Sequence, residues 1–210
     1  MAENESTEKD GGSGAARLEG LMAAVSAAGG RGPAPVERWN PPDCGDIDMR
    51  IAADGTWFYG GTPIGRPALV KLFASVLTRE GARFVLKTPA EKIGITVEDA
   101  PFLAVDLAVD DAAAEAGGAR VLVFRTNLDD LVRCGDGHDL RFAPGSEPGE
   151  VVPYLHVRRG LEARLTRAVF IDLVDLAEER EVEGVRMFGV ASGGRFYPMM
   201  PAGDLHRASA

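Results

Sequence analysis

Two arginines stand where helix electrostatics disfavour a cation. Arg66 and Arg167 each lie at the start of a predicted amphipathic helix, at the positive end of the helix dipole. The segments 64–73 and 165–174 share the pattern apolar-x-Arg-x-x-apolar-apolar-x-Leu-apolar, and Gly-x-Arg follows each helix. This similarity is typical of a duplicated unit, although two amphipathic helices can also match by chance. Each arginine therefore needs an anionic partner, either a carboxylate of the protein or a bound ligand.

Two basic segments stand out in an acidic chain of 210 residues with a net charge of −9. Residues 57–92 carry six basic and two acidic side chains, and residues 151–168 carry four basic and one acidic. These cations could converge on a phosphate-like anion, with an aromatic ring stacked on a base. The alternative is a solvated surface with scattered ion pairs. The predicted ligand-binding residues are Trp57, Arg66, Lys87, Thr88, Lys92, Tyr154, Arg158, Arg164 and Arg167.

Catalytic signatures are weak in this sequence. The three histidines are scattered singly and the two cysteines form no CxxC motif, so we expect neither a metal site nor a cofactor. Glu98 and Asp99 could serve as acid and base, but adjacent residues on a strand face opposite ways. We expect one of them to pair with Arg66 or Lys92. No residue is assigned a catalytic role, and a hydrolase or transferase that uses Glu98 or Asp99 remains an alternative.

Turn residues and hydrophobic periodicity predict the elements that position these side chains. Asp54-Gly55 indicates a hairpin within 48–59, and Ser192-Gly193-Gly194 indicates another between 185–190 and 194–198. Apolar stripes predict helices, with Gly81 as the glycine that ends the second of them. The helices are predicted over 15–28, 66–79 and 166–180, and further strands over 83–87, 93–97, 102–109, 119–125, 139–142 and within 153–165.

The predicted elements and the repeated helix motif indicate an α+β fold of two duplicated small domains, each a mainly antiparallel sheet with one helix. Residues 1–14 are polar and glycine-rich, which predicts a disordered tail, and 202–210 predict a frayed one. The N-terminal domain is predicted over 15–110, with a leading helix and loop. The Ala/Gly-rich segment 111–118 predicts a flexible loop, and 119–201 predict the C-terminal domain.

No apolar run is long enough to span a bilayer, and the acidic N-terminus lacks the pattern of a signal peptide. Two distant cysteines favour a reducing compartment. We therefore expect a cytoplasmic protein without a membrane partner. Its negative charge also argues against binding to a nucleic acid polymer.

A set of short motifs resembles a bacterial family of unknown function, DUF1285. The resemblance covers about residues 39–198. It implies a duplicated α+β core, a C-terminal part similar to a pleckstrin-homology fold, and a nucleotide-like ligand at the domain interface. The N-terminal extension and the 111–118 insert depart from the family pattern. The motifs that carry the resemblance lie at 51–57, 60, 63–66, 69–73, 88–92, 97–102, 126–127, 153–154 and 157–164.

Together these features predict a regulatory or signalling protein that binds a small anionic, nucleotide-derived ligand, rather than an enzyme. A protein–protein adaptor, with a sheet face or edge that carries a partner segment, is the first alternative.

Overall fold

The chain folds into two compact units. The computed structural model describes residues 19–20, 22–23, 25, 33–111, 118–147 and 149–203. The first unit comprises Met1–Ala52 and Thr56–Glu98, and the second comprises Ala53–Gly55 and Asp99–Ala210. The sequence-based boundary differs, since it put the strand near 102–109 in the first domain. That strand groups with the second unit because both of its edges pair with strands there.

The first unit is a six-stranded sheet with one α-helix. Its strand order is β3-β2-β1-β6-β5-β4, and the β1–β6 pair alone is parallel. A 3₁₀ helix at Val36–Arg38 precedes the sheet. The elements are β1 Asp43–Ile51, β2 Trp57–Tyr59, β3 Thr62–Pro63, α1 Pro67–Val76, β4 Leu77–Glu80, β5 Arg83–Lys87 and β6 Lys92–Val97.

The second unit contains a six-stranded sheet, a three-stranded sheet and one α-helix. The larger sheet has the order β10-β11-β12-β7-β8-β9, and the smaller has the order β13-β14-β15. The elements are β7 Phe102–Asp110, β8 Val121–Thr126, β9 Leu131–Arg133, β10 Leu140–Pro144, β11 Val151–Arg158, β12 Leu161–Leu165, α2 Arg167–Asp175, β13 Glu178–Val182, β14 Val185–Ser192 and β15 Arg195–Pro201.

Both six-stranded sheets have the same topology. Each consists of two three-stranded antiparallel meanders, and its first and last strands form the central parallel pair, β1–β6 and β7–β12. The helices follow a different repeat, because each is followed by an antiparallel meander, β4-β5-β6 or β13-β14-β15. The α+β class with two sheet-rich halves is thus confirmed. The likeness of the second unit to a pleckstrin-homology fold stays a prediction.

Each helix covers a sheet with the apolar stripe that its sequence predicts. In α1 the stripe includes Val70, Phe73 and Val76, all buried, and in α2 it includes Val169 and Leu173. Helix α1 contacts β5, and α2 contacts β7 and β14. Burial of such a side chain stabilises a fold by about 1.5–3 kcal/mol, so these stripes fix both helices on their sheets.

Both helices end earlier than the sequence predicts. Helix α1 stops at Val76, and the backbone of Leu77 is already extended, with ψ at 138°. Gly81 is therefore not a helix-ending glycine; it forms the β4–β5 turn, with φ at +62°. Helix α2 stops at Asp175, and the predicted helix over 176–180 is replaced by β13. Pairing with neighbouring strands overrides local helix propensity at both places. Strand β9 was also not predicted, because its sequence carries no recognisable strand signal.

Several sequence-based expectations fall outside the described residues. These are the tail at 1–14, residues 112–117 of the predicted flexible loop, and residues 204–210 of the C-terminal tail. Of the helix predicted over 15–28, the described residues 19–20, 22–23 and 25 are helical. Among the described residues, no helix has the length and apolarity that crossing a membrane requires.

Candidate functional site

The two first-turn arginines are exposed in the positions that the sequence predicts. Arg66 is the N-cap residue of α1, and Arg167 is the first residue of α2, after Thr166. Neither helix has an acidic residue in its first turn or a side-chain cap hydrogen bond, so Thr166 occupies the cap position without capping. Within the described parts of the chain, neither guanidinium forms an ion pair with a carboxylate. Both charges therefore remain available to an anion.

Two lysines of the first basic segment are held by one carboxylate. Lys87 Nζ lies 3.3 Å from Glu80 Oε1, and Lys92 Nζ lies 2.8 Å from Glu80 Oε2. These contacts lower the pKa of Glu80, with the hydrogen bond from Lys92 as the largest cause. Thr88 is fully buried; its Oγ1 accepts the backbone N–H groups of residues 90 and 91 and donates to the carbonyl of residue 91. The three residues thus build a turn and a local ion-pair network rather than an open anion site.

A second arginine network in the first unit was not anticipated from the sequence. Arg83 donates to Asp43 Oδ2 at 2.5 Å and to Asp46 Oδ1 at 2.6 Å, and we name these three residues the arginine clamp. The hydrogen bond from Arg83 is the main cause that lowers the pKa of Asp43. Gly94 lies directly beneath the clamp, where a Cβ would collide with both Asp46 and Arg83. A side chain at this strand position would therefore displace the flexible ends of the clamp.

Trp57 is a core residue, not an exposed stacking platform. Its side chain is 1% exposed, and its ring stacks on Phe73 with the centroids 6.3 Å apart. No described residue accepts a hydrogen bond from its buried Nε1. The predicted role of Trp57 in holding a base would require the ring to leave the core, which would cost several kcal/mol of burial.

Tyr154 and Arg164 converge on Asp99 in the second unit. The Tyr154 hydroxyl donates to Asp99 Oδ1 at 2.7 Å, and Arg164 Nη1 donates to Oδ2 at 3.0 Å. Arg141 lies over the Tyr154 ring, 4.4 Å from its centroid, and forms a two-pronged pair with Glu162. Burial, followed by the hydrogen bond to Asp99, raises the pKa of Tyr154 to about 12. Tyr154 therefore stays protonated at neutral pH as a donor to Asp99.

Arg158 is largely buried and committed to the fold. Its Nη1 lies 2.7 Å from Asp130 Oδ2, and its guanidinium lies 4.8 Å from the centroid of the Phe102 ring. Only 15% of its side chain is exposed. A charge so enclosed contributes more to the second unit's structure than to an external ligand.

The two candidate catalytic carboxylates are also engaged. Glu98 pairs with Arg50, and Asp99 accepts the bonds from Tyr154 and Arg164 described above. The expectation that one of them pairs with Arg66 or Lys92 is wrong, since Lys92 is bound to Glu80. The structure gives no observation in favour of acid–base catalysis by this pair, and that alternative stays a prediction.

Two histidines that the sequence shows as isolated lie together. The rings of His138 and His156 stack with centroids 6.0 Å apart. Each Nδ1 faces a backbone carbonyl, that of residue 156 at 3.2 Å for His138 and that of Gly137 at 2.6 Å for His156. These contacts tie the β9–β10 connection to β11.

A pocket in the second unit brings together residues that the sequence analysis missed. Its volume is about 300 Å³, and three separate segments line it. Ser192, on its wall, accepts a hydrogen bond from Leu122 N at 2.9 Å and donates one to Cys134 O at 2.7 Å. Burial raises the pKa of the Cys134 thiol. Neither residue is therefore poised as a nucleophile. The lining residues are Ala119, Arg120, Glu178, Arg180, Ala191, Ser192 and Gly194.

Comparison with protein-family profiles identifies the family of this chain. A profile described as the N-terminal domain of unknown function DUF1285 matches residues 34–100, and the C-terminal domain of DUF1285 matches residues 101–199. The chain belongs to the DUF1285 family. The resemblance inferred from the motifs is thus confirmed, and the junction between the two DUF1285 matches lies close to the junction of the two compact units.

Two crystal structures of DUF1285 family proteins are similar to this chain. The protein from Silicibacter pomeroyi DSS-3 is 50% identical, with a TM-score of 0.78 over 89% of this chain and 98% of that one. The protein from Shewanella baltica OS155 is 30% identical, with a TM-score of 0.47 over 61% of this chain and 91% of that one. No curated protein matches this DUF1285 chain.

Proposed function

We propose that this DUF1285 protein is a regulatory protein that binds a small anionic ligand in the pocket of its second unit. The observation that carries the proposal is that two arginines, Arg120 and Arg180, line one pocket of about 300 Å³. Pockets for small molecules have volumes of roughly 300–1,000 Å³ and hold a few polar groups. Guanidinium groups suit carboxylate and phosphate oxygens because their N–H donors form a planar fork.

Both arginines keep donors for a ligand. Arg120 Nη2 donates one hydrogen bond, at 3.3 Å, to the carbonyl of Leu176, the C-cap residue of α2. Arg180 Nη2 lies 2.6 Å from Glu178 Oε1. A guanidinium carries five N–H donors, so each retains several. With Glu178 included, the pocket has a formal charge of +1, which favours an anionic ligand.

The pocket wall includes backbone that can add a donor. Gly193 and Gly194 form the two-residue turn between β14 and β15, with φ at +57° and +78°. The Gly193 N–H donates to the carbonyl of Arg120, which fixes the turn beside that arginine. No described residue accepts the N–H of Gly194, which lines the pocket. A backbone amide beside two guanidinium groups supports anion binding.

The proposal keeps the ligand class that the sequence predicts but changes the residues. Seven of the nine predicted residues make the contacts within the protein that are described above, and the proposal does not use them. Arg66 and Arg167 do not line this pocket, so their predicted role as anion contacts is the alternative that the variants below test. The nucleotide-derived identity of the ligand remains a prediction. Arg167 offers a useful contrast because it lies at the start of α2, whereas Arg120 binds the end of the same helix. Nine residues at about 1.5 Å each separate the two ends by about 13 Å.

The test is isothermal titration of the full chain with inorganic phosphate, acetate and AMP, supported by thermal shift. We expect at least one probe to bind. Loss of one charged hydrogen-bonding group, in Arg120→Ala or Arg180→Ala, should then weaken binding by about 10- to 100-fold. Arg167→Ala removes the same charge from an exposed site and should leave the affinity unchanged.

The opposite effects of these variants would place the binding site at the first-turn arginines. If Arg66→Ala or Arg167→Ala abolishes binding and the two pocket variants do not, the first-turn arginines hold the ligand and the pocket assignment is wrong. If none of the three probes binds the wild-type protein, the anion-binding proposal itself fails. Melting temperatures of all variants establish that each one is folded.

A protein–protein adaptor stays the second prediction. Helix α2 leaves Ile171 53% exposed and Val174 36% exposed, and these residues lie three apart on the same helical face. Capture of one stoichiometric partner, with binding that survives Arg66→Ala and Arg167→Ala, would favour an adaptor. We also propose a cytoplasmic location, which is supported by the low cysteine content, two cysteines far apart in a chain of 210 residues.

A further inference from the structure

The exposed face of α2 carries at each end the charge that its helix dipole disfavours. Arg167 lies at the positive N-terminal end of the helix, and Asp175 lies at the negative C-terminal end. No acidic residue stands in the first turn, and no basic residue stands in the last. Both side chains are exposed, and within the described parts of the chain neither one forms an ion pair. Neither charge therefore stabilises the helix, and each suits a group of opposite charge outside it.

One row of side chains joins these two charges. Ile171 lies four residues after Arg167 and four residues before Asp175, so the three side chains follow one another at i, i+4 and i+8 along the helix surface. We call these three residues the α2 row. Ile171 is 53% exposed, and the neighbouring Val174 is 36% exposed. The buried stripe of α2 lies on the opposite side, so the α2 row forms the centre of the outward face.

The α2 row is self-complementary under a two-fold rotation. If a second copy of α2 packs antiparallel, with Ile171 of both copies at the centre, then Arg167 of each copy lies beside Asp175 of the other. This match arises because both charged residues are four positions from Ile171. Helices in globular proteins pack most often through rows of this i±4 kind, at a crossing angle of about 50°. The two-fold axis repeats every contact, so one helix pair forms two charge pairs.

We propose that the outward face of α2 is a docking surface for a second copy of this chain. In the dimer Ile171 and Val174 pack on α2 of the second copy, and Arg167 pairs with a carboxylate of the same protein rather than with a ligand. This inference goes beyond the proposed function and does not depend on the pocket. Two helices of nine residues each bury less than the roughly 1,200–2,000 Å² of a stable interface, so the dimer is weak, with a dissociation constant of about 10 µM to 1 mM.

Sedimentation equilibrium of the full chain measures this association, at concentrations from about 10 µM to about 1 mM. We expect the wild-type protein to dimerise within this range. Arg167→Asp and Asp175→Arg each bring like charges together at both ends of the helix pair, so each should weaken the dimer by at least about tenfold. The double variant restores opposite charges and should return the dissociation constant to within about threefold of the wild-type value. Ile171→Asp should abolish the dimer, because it places two acidic groups at the centre.

The charge reversals leave the fold of the monomer in place. Each one substitutes the sign that the helix dipole favours at its end of α2, so neither variant should lose stability. Asp172→Arg is the matched control, since this exposed residue lies on α2 beside the α2 row. It changes the net charge by the same amount as Asp175→Arg and should leave the dissociation constant unchanged.

A disulfide trap tests the two-fold arrangement independently. Ile171→Cys is made together with Cys44→Ser, which removes the exposed cysteine and leaves only the buried Cys134. Because Ile171 lies next to the two-fold axis, its replacement brings two thiols together, and mild oxidation should give a covalent dimer. Val185→Cys, at a position on β14 that is 50% exposed, should stay monomeric under the same treatment.

Three results would overturn the inference. A wild-type chain that stays monomeric at about 1 mM has no such dimer, and the outward face of α2 is then left to a different protein. A dimer that Ile171→Asp and the charge reversals do not weaken uses another surface. If both single reversals weaken the dimer and the double variant does not recover it, Arg167 and Asp175 do not pair.

Discussion

Replacement of Asp99 by asparagine tests whether this carboxylate is a structural anchor or a reactive group. Asp99→Asn keeps the side-chain shape and still accepts a hydrogen bond from the Tyr154 hydroxyl, now through an amide oxygen. It removes the negative charge that Arg164 contacts at 3.0 Å. If Asp99 is an anchor, the variant must lose free energy of unfolding. A catalytic carboxylate, by contrast, often lowers stability in the wild-type protein, so that its replacement is neutral or stabilising.

The loss can be estimated from the two contacts. The Arg164 side chain is 39% exposed, so its pair with Asp99 contributes about 0.5–1 kcal/mol after solvent screening. A hydrogen bond to an ionised acceptor is roughly twice as strong as a neutral one, so the Tyr154 bond loses about 1 kcal/mol when its acceptor becomes an amide. We therefore expect Asp99→Asn to lower the free energy of unfolding by about 1.5–2 kcal/mol.

Urea denaturation at neutral pH measures this loss, and Asp106→Asn is the matched control. Asp106 also pairs with an arginine, Arg125, but their side chains are 60% and 44% exposed, so we expect a change of about 0–0.5 kcal/mol. A double-mutant cycle of Asp99→Asn with Tyr154→Phe should give a coupling of about 1 kcal/mol. A loss no larger than that of the control, together with zero coupling, would refute the anchor assignment.

Titration of the tyrosine gives an independent readout. Because the pKa of Tyr154 is raised from 10 to about 12 in the folded protein, folding favours its protonated form. That contribution to stability is complete below pH 10 and is lost as the pH rises toward 12. Asp99→Asn removes the carboxylate and leaves the burial, so the pKa should fall without reaching 10. Tyrosinate absorbance, compared with that of Tyr154→Phe, isolates this group.

Substitutions at Trp57, Gly94 and Glu80 test other assignments, with Gly65 as a control position. Trp57→Ala should lower the free energy of unfolding, measured by urea denaturation, by about 3–5 kcal/mol. Trp57→Phe should lower it by no more than about 1 kcal/mol, because this change also removes an unpaired buried N–H. Equal losses in the two variants would contradict the core assignment. Gly94→Ala should displace the exposed side chains of the arginine clamp and so lower the free energy of unfolding by no more than about 1 kcal/mol. Gly65→Ala, with open space around its Cα, should be neutral or slightly stabilising. Because the pKa of Glu80 is lowered, its contribution to stability is complete above about pH 4.5 and is lost as the pH falls. Glu80→Gln should therefore reduce the loss of stability that acid causes. An unchanged dependence of stability on acid pH would argue against the lysine contacts.

Local features of the fold were predictable because their causes lie within a few residues. The turn at Asp54-Gly55 separates β1 from β2, and Gly193-Gly194 separates β14 from β15, as their dihedral preferences require. The apolar stripes also located both helices. Their ends were not predictable, because Leu77–Glu80 and Glu178–Val182 become strands only through pairing with distant neighbours.

The candidate site was less predictable than the fold because its contacts are non-local. Asp43 meets Arg83 across 40 positions of sequence, and Asp99 meets Arg164 across 65. A count of charges along the chain therefore identified basic segments without showing that distant carboxylates pair with several of their arginines. Arg120 illustrates the converse, since it lies outside both basic segments and reaches the pocket only through the packing of β8 against the β14–β15 turn.

The parallel pair at the centre of each six-stranded sheet has a consequence for how the chain acquires its structure during synthesis. Each antiparallel meander can form as soon as its own strands leave the ribosome, but β1 exposes an unpaired edge until β6 has been translated, and β7 does so until β12 has been translated. Such long-range pairing slows folding and leaves unpaired, aggregation-prone strand edges exposed until the pair forms. Nascent chains arrested before Lys92 or before Leu161 should therefore be the forms most prone to aggregate and most dependent on chaperones.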